Sequence, residues 1–291
     1  MDDLINIFES GRKIAEAYLA KIKLCELTLT NTTLAYIGGY NARPFSLRLN
    51  IFEAPRTTSI KGLWKWWLRA YIAGATIFKT KQEPDWKDVI SYANYLLGST
   101  KEASKIRITL RPEGIRIKKI WKLDVSQLHN LSELDEANIV EATFEGMQEK
   151  DQKRLNLKLK NLKEIPRIRL LTMKRPREDL KNTLTEIIYL YPPGGFEINI
   201  GIYERYPKIL NDNEKMLLLG SLITALIFNG IGAITKRGFG NVRIDLRYCI
   251  FPKLKEIVDK IYSSNSAINL RNNIISLIKL TLRAAKEAVN L

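Results

Sequence analysis

Cysteine and histidine are nearly absent from these 291 residues: Cys25, Cys249 and His129 are the only three. Two cysteines make no disulfide framework, and one histidine cannot complete a Cys/His zinc site within one chain. A reducing interior is the natural compartment. Long apolar runs are missing too, since no stretch approaches the ~20 residues that cross a bilayer. The opening residues, Met1 to Glu9, are acidic and lack the basic-then-apolar order of a leader. The reading is a cytoplasmic chain with no membrane partner. Carboxylates are in deficit, 31 Asp and Glu against 47 Lys and Arg, which leaves a formal charge of +16. An excess of that size points to a polyanionic partner, nucleic acid before an acidic membrane. A lysine-rich solvated surface is the plainer alternative.

An apolar content of 45% is enough for a sizeable core, so disorder is not the default. Lys21 to Thr30 alternates apolar and polar as a strand does, with an irregularity at Cys25-Glu26. A long loop follows through Gly38-Gly39, with a short strand at Ser46 to Ile51. In "TTSIKGLWKWWLRAYIAGATIF", Ser59 can cap a helix running to about Phe78. Ile60, Leu63, Trp64, Trp67, Leu68, Tyr71 and Ile72 then share one broad apolar face. Lys61, Lys65 and Arg69 fall at i, i+4, i+8 on the other side. Trp66 lies beside that basic stripe, and core packing does not readily explain it.

A second helix is expected from Trp86 to Leu97, ended by Gly98, and then a hairpin turning at Pro112 to Ile115. Residues 126–165 are weakly patterned, compatible with an inserted hairpin or helix. "RIRLLTMK", "TEIIYLY" and "FEINIGIY" read as strands, the last opened by the turn Pro192-Pro193-Gly194-Gly195. Asn213 to Phe228 is apolar nearly all round, a helix buried between layers. "NVRIDLRYCIF" is a further strand, and the tail from Ala267 is an amphipathic helix. This order suits a split βαβ, or ferredoxin-like, arrangement of the α+β class, with antiparallel sheets and helices on one face. Two units in tandem, or one with a large insertion, both fit. The tandem division places an N-terminal domain at 1–165 and a C-terminal domain at 166–291.

The most unusual stretch is "GIGAITKRGFGN", Gly230 to Asn241. A dinucleotide fingerprint would need glycine where Thr235 stands and a preceding strand. A nucleotide phosphate loop would need Ser or Thr after Lys236, and Arg237 stands there. What remains is a glycine-rich turn whose backbone and Lys236-Arg237 meet a phosphodiester chain while Phe239 offers a stacking face. A tight connection with incidental cations is the alternative.

"GIGAITKRGFGNVRIDL" resembles the glycine-rich signature of the RAMP superfamily of CRISPR proteins. "PRTTSIKGLWKWWLRA" is similar to the early motif of its Cmr branch, and most resembles that of the first subunit of the type III-B RNA-silencing complex. The resemblance spans most of the chain except the stretch from about Ser126 to Pro166. It implies tandem ferredoxin-like folds and single-stranded RNA bound within a ribonucleoprotein, near the 3′ end of the guide and its paired target, beside other Cmr subunits. By position, Arg56, Ser59, Lys61, Gly62, Trp66 and Arg69 match the early motif. Gly230, Gly232, Lys236, Arg237, Gly238, Phe239 and Gly240 match the loop, although Ile234-Thr235 replaces the usual arginine-rich stretch. No cofactor or metal is implied.

Catalysis is the minority reading. His129 could carry a proton in guide-processing cleavage, but no Ser or Tyr partner is placed by sequence. Asp2-Asp3, Asp124 and Asp135-Glu136 have no spacing that marks a metal site. A protein-protein scaffold is the other alternative to a non-catalytic RNA-binding subunit.

Overall fold

The computed structural model describes residues 2–37, 45–46, 51–52, 57–124, 138–143, 156–161, 187–232, 235 and 239–289. The elements run α1 (Asp2–Ile22), β1 (Lys23–Asn31), β2 (Phe45–Ser46), β3 (Ile51–Phe52), α2 (Thr57–Thr80) and α3 (Trp86–Leu97). Strands β4 (Ile106–Ile117), β5 (Lys119–Asp124), β6 (Asn138–Thr143), β7 (Asn156–Asn161), β8 (Ile187–Leu190) and β9 (Phe196–Glu204) follow. The chain continues with α4 (Asp212–Asn229), β10 (Val242–Cys249), α5 (Pro252–Tyr262) and α6 (Ala267–Ala288).

The main sheet has the order β10-β1-β9-β4, with every neighbouring pair antiparallel. Helix α2 joins β1 to β4 and α4 joins β9 to β10, so the main sheet is a split βαβ unit of the α+β class. A second antiparallel sheet, β7-β6-β5-β8, lies in sequence between β4 and β9. Of the two arrangements the sequence allows, one unit with a large insertion matches this strand order. The division at 165/166 does not separate the main sheet, because β1 and β4 lie on one side of it and β9 and β10 on the other.

The core is the side of the sheet that α2 and α4 cover. Leu27 and Leu29 of β1, Ile198, Ile200 and Ile202 of β9, and Ile244 and Leu246 of β10 are all buried there. Helix α4 packs against α2, α6 and β10, which is why it is apolar on every side. Its glycine lets α6 come close: a Cβ on Gly220 would stand 2.1 Å from the Thr281 hydroxyl. Trp64 is fully buried and its indole NH donates to the Leu218 carbonyl and Ser221 Oγ, both at 2.9 Å. The Tyr71 hydroxyl lies 2.9 Å from Thr224 Oγ1, so the large aromatics of α2 meet polar partners on α4. Buried Asn31 fixes the turn before β9: its amide donates to the Pro192 carbonyl at 2.6 Å, and its carbonyl oxygen accepts from Phe196 NH at 3.0 Å.

Three local expectations change. Pro112 to Gly114 is no hairpin turn. Register jumps from Leu110↔Ile200 to Ile115↔Ile198, so residues 111–114 stand against Asn199 alone, a bulge within one long strand. The strand expected at Ser46 to Ile51 is instead a pair of two-residue strands, Phe45 opposite Phe52. Ser59 does not cap α2, which begins at Thr57. The weakly patterned insertion contains the antiparallel pair β6 and β7, whereas "RIRLLTMK" lies outside the described residues. The register also sets Cys25 opposite Cys249, both as free thiols.

Candidate nucleic-acid interface

Helix α2 has three kinds of surface. Ile60, Trp64, Leu68, Tyr71 and Ile72 are buried, while Leu63 and Trp67, expected with them, are only half-buried. Trp66 points away from the core and is 61% exposed. Gly62, one turn earlier on the same outer face, is exposed, and a Cβ there would meet nothing within 4 Å.

The basic stripe lies on the flank of the helix, and its members differ. The Lys65 ammonium donates to the Gly98 carbonyl at 2.7 Å, where Gly98 ends α3, so this cation is largely engaged by the protein. Burial pushes Lys61 below its ordinary range, and repulsion from Arg205 and Lys65 adds to the shift. Lys65 is lowered by burial and by Arg69, with Glu102 acting in opposition. Arg69 Nε is buried with no hydrogen-bond partner among the described residues. Lys61, Arg69 and Arg205 thus form a cationic flank with little internal compensation.

On the other flank, Trp67 stacks on Phe228 at 5.3 Å and 23°. Its indole NH donates to Asn229 Oδ1 at 2.7 Å, and Trp66 meets it edge-on at 5.2 Å. Phe228 is 47% exposed. Trp66, Trp67 and Phe228 therefore form a continuous aromatic ledge that ends at Asn229, directly before the glycine loop. Sequence reading missed Trp67 and Phe228, because their pairing joins residues about 160 positions apart. The one available signal was Phe228 closing an otherwise aliphatic helix.

The glycines of the loop have internal reasons. Gly230, Gly232 and Gly240 have φ of 64°, 106° and 67°, a region side chains avoid. A Cβ on Gly230 would lie 2.2 Å from the Gly240 carbonyl oxygen, one on Gly240 1.9 Å from that of Ile231, and one on Gly232 2.5 Å from that of Tyr36. The closeness shuts the loop at its base: Ile231 NH donates to the Gly240 carbonyl at 2.7 Å, and Gly240 NH to that of Leu34 at 2.6 Å. The bare backbone at these three positions serves the protein's own main chain. Phe239, expected to offer a stacking face, is 1% exposed and lies inside the base of the loop, so its ring is not available to a base. Arg56, Lys236, Arg237, Gly238 and His129 lie outside the described residues. Thr235, which precedes Lys236, is half-exposed.

Among the described residues no group of three His, Cys, Asp or Glu side chains is placed to hold a metal ion, and no helix is long and apolar enough to cross a membrane. No curated protein matches the sequence directly. Solved structures share the fold. The chain is similar to a component of the type III-B Cmr-beta complex bound to cognate target RNA, at 17% identity and TM-score 0.56, with 89% of this chain and 62% of the other covered. A second structure of Cmr-beta, bound to cognate target RNA and AMPPnP in the presence of single-stranded DNA, gives 20% identity, TM-score 0.55 and coverage of 92% and 64%. Crystalline Cmr1 from Pyrococcus furiosus in its apo form gives 16% identity, TM-score 0.47 and coverage of 89% and 59%. The chain spans about three fifths of the length of these structural relatives. The family profile described as the RAMP superfamily matches residues 56–243, from the first residue of the early motif to the strand beyond the glycine loop. With that match covering well over half of its length, this chain belongs to the RAMP superfamily.

Proposed function

We propose that the chain is a non-catalytic RNA-binding subunit of a type III-B (Cmr) ribonucleoprotein, contacting guide or target RNA near the guide 3′ end beside other Cmr subunits. The observation that carries this reading is the exposed ledge of Trp66, Trp67 and Phe228, fixed through Asn229 to the start of a loop containing Lys236 and Arg237. Ring faces stack on any base, and the cations meet phosphates, so the surface grips single strands with little regard for sequence. Family membership and the fold shared with a complex bound to target RNA support the same assignment.

Binding of the full chain to labelled single-stranded RNA, followed by fluorescence anisotropy, tests it. Trp66→Ala should weaken affinity roughly 5- to 150-fold, the equivalent of ~1 to 3 kcal/mol per stacked base. The thermal midpoint should stay put, because Trp66 is on the surface. Ultraviolet crosslinks should map to α2 and to the peptide spanning 228–241, with the RNA left intact. Unchanged affinity in Trp66→Ala, or RNA cleavage abolished by His129→Ala, would overturn the proposal.

A further inference from the structure

At the opposite end of α4 from the aromatic ledge, about 27 Å away for 18 residues, lies a cavity of about 480 Å³. Its lining includes Asp88, Tyr92, Tyr95, Asn211 and Glu214. The chemistry here is the reverse of the rest of this basic chain. Glu214 is 7% exposed, yet no Lys or Arg nitrogen among the described residues comes within 4 Å of it. The adjacent Lys215 turns instead to Glu204 at 3.6 Å and Asp212 at 3.8 Å. Glu214 Oε1 accepts from the Tyr92 hydroxyl at 3.1 Å and Oε2 from Asn211 NH at 2.9 Å. Each oxygen keeps a further lone pair. Glu214 closes the capping box of α4 with Asn211 and faces the positive end of that helix, so its compensation comes from backbone dipoles, and no side-chain cation among the described residues stands beside it.

The walls complete a cation site. Tyr92 and Tyr95 stack at 5.9 Å and 17°, and Tyr95 is 39% exposed. The Ala288 carbonyl, at the end of α6, lies 3.0 Å from the Tyr92 hydroxyl and shares its single proton with Glu214, adding the negative pole of a helix. The aromatic wall already draws one of the chain's own cations: Lys105 Nζ stands 4.6 Å from the centre of the Tyr95 ring.

We propose that this cavity receives an arginine side chain from a partner protein, its guanidinium lying on the tyrosine faces and bonding to Glu214 and Asp88. The planar fork matches both elements, rings to stack on and carboxylates to bond, as an ammonium does not. RNA is excluded by the same two carboxylates. The site is independent of the RNA-binding reading and stands at the other end of the buried helix.

The test follows the ring resonances of the full chain labelled with ¹³C-tyrosine during titration with argininamide, citrullinamide and spermidine. Saturable shifts of Tyr92 and Tyr95 are expected with argininamide, and none with neutral citrullinamide. Glu214→Gln, which keeps the helix cap, and Asp88→Asn, at an exposed position, should each weaken argininamide at least five-fold while leaving RNA affinity unchanged. Absence of saturation, equal response to citrullinamide, or indifference to both variants would overturn the site. Equal binding of spermidine would overturn the assignment to a protein partner, and a loss of RNA affinity in either variant would overturn its independence.

Discussion

Gly62 sits in the exposed interior of a helix with nothing near the place where a side chain would go. Glycine there costs about 1 kcal/mol relative to alanine, and no internal contact accounts for it. Access for a ligand's backbone to that of α2, one turn from Trp66, is the explanation that the site offers. Gly62→Ala should therefore raise the melting temperature by a few degrees while weakening RNA binding; stabilisation with unchanged binding would remove the need for close approach. Lys61 makes a prediction with the sign fixed by its shift. Its pKa lies below the ordinary 10.5, through burial first, so the protonated form costs the folded state. Stability should then rise as pH climbs through the lowered value toward 10.5. A neighbouring phosphate favours the protonated form, so RNA affinity should fall as pH rises through the lowered value, readable by anisotropy across the alkaline limb below 10.5. Lys61→Met should flatten both slopes.

Among the elements, the loop from α4 to β10 is held by its own main chain. Gly240→Ala forces a Cβ into the Ile231 carbonyl at a positive φ, and a destabilisation of about 2 kcal/mol or more is expected. Hydrogen exchange should show the loss first at the amides of Ile231 and Gly240, which close the base. Helix α2 was legible because its apolar spacing repeats from Ile60 to Ile72, and α4 because apolar residues fill every side. What the sequence hid depended on distant partners. Pro112 to Gly114 carries turn chemistry, yet β9 holds the strand through it as a bulge. The Phe239 ring looked available beside two cations, and only the closed loop base shows it facing inward. Helix α1 passed unread, since Ser10 to Tyr18 is exposed and shows no buried stripe to betray it.

For the whole molecule, with its charge of +16, the response of binding to salt counts the phosphates that its cations neutralise. If Lys61, Arg69, Lys236 and Arg237 each neutralise one phosphate, log affinity should fall with log salt at a slope of about −3 for a single strand. A slope near zero would mean that charge is not what holds the RNA. Fold class was readable because strand and helix order survives any insertion, but the boundary near 165 was not. A long second sheet between β4 and β9 looks, along the chain, like the start of another domain.

The order β10-β1-β9-β4 leaves neither half of the chain with two neighbouring strands in the main sheet. Severed within the inserted sheet, the molecule would yield fragments that are each an incomplete comb, the teeth of one filling the gaps of the other. Such pieces would be silent apart and whole together, which makes this fold a natural scaffold for a two-part reporter.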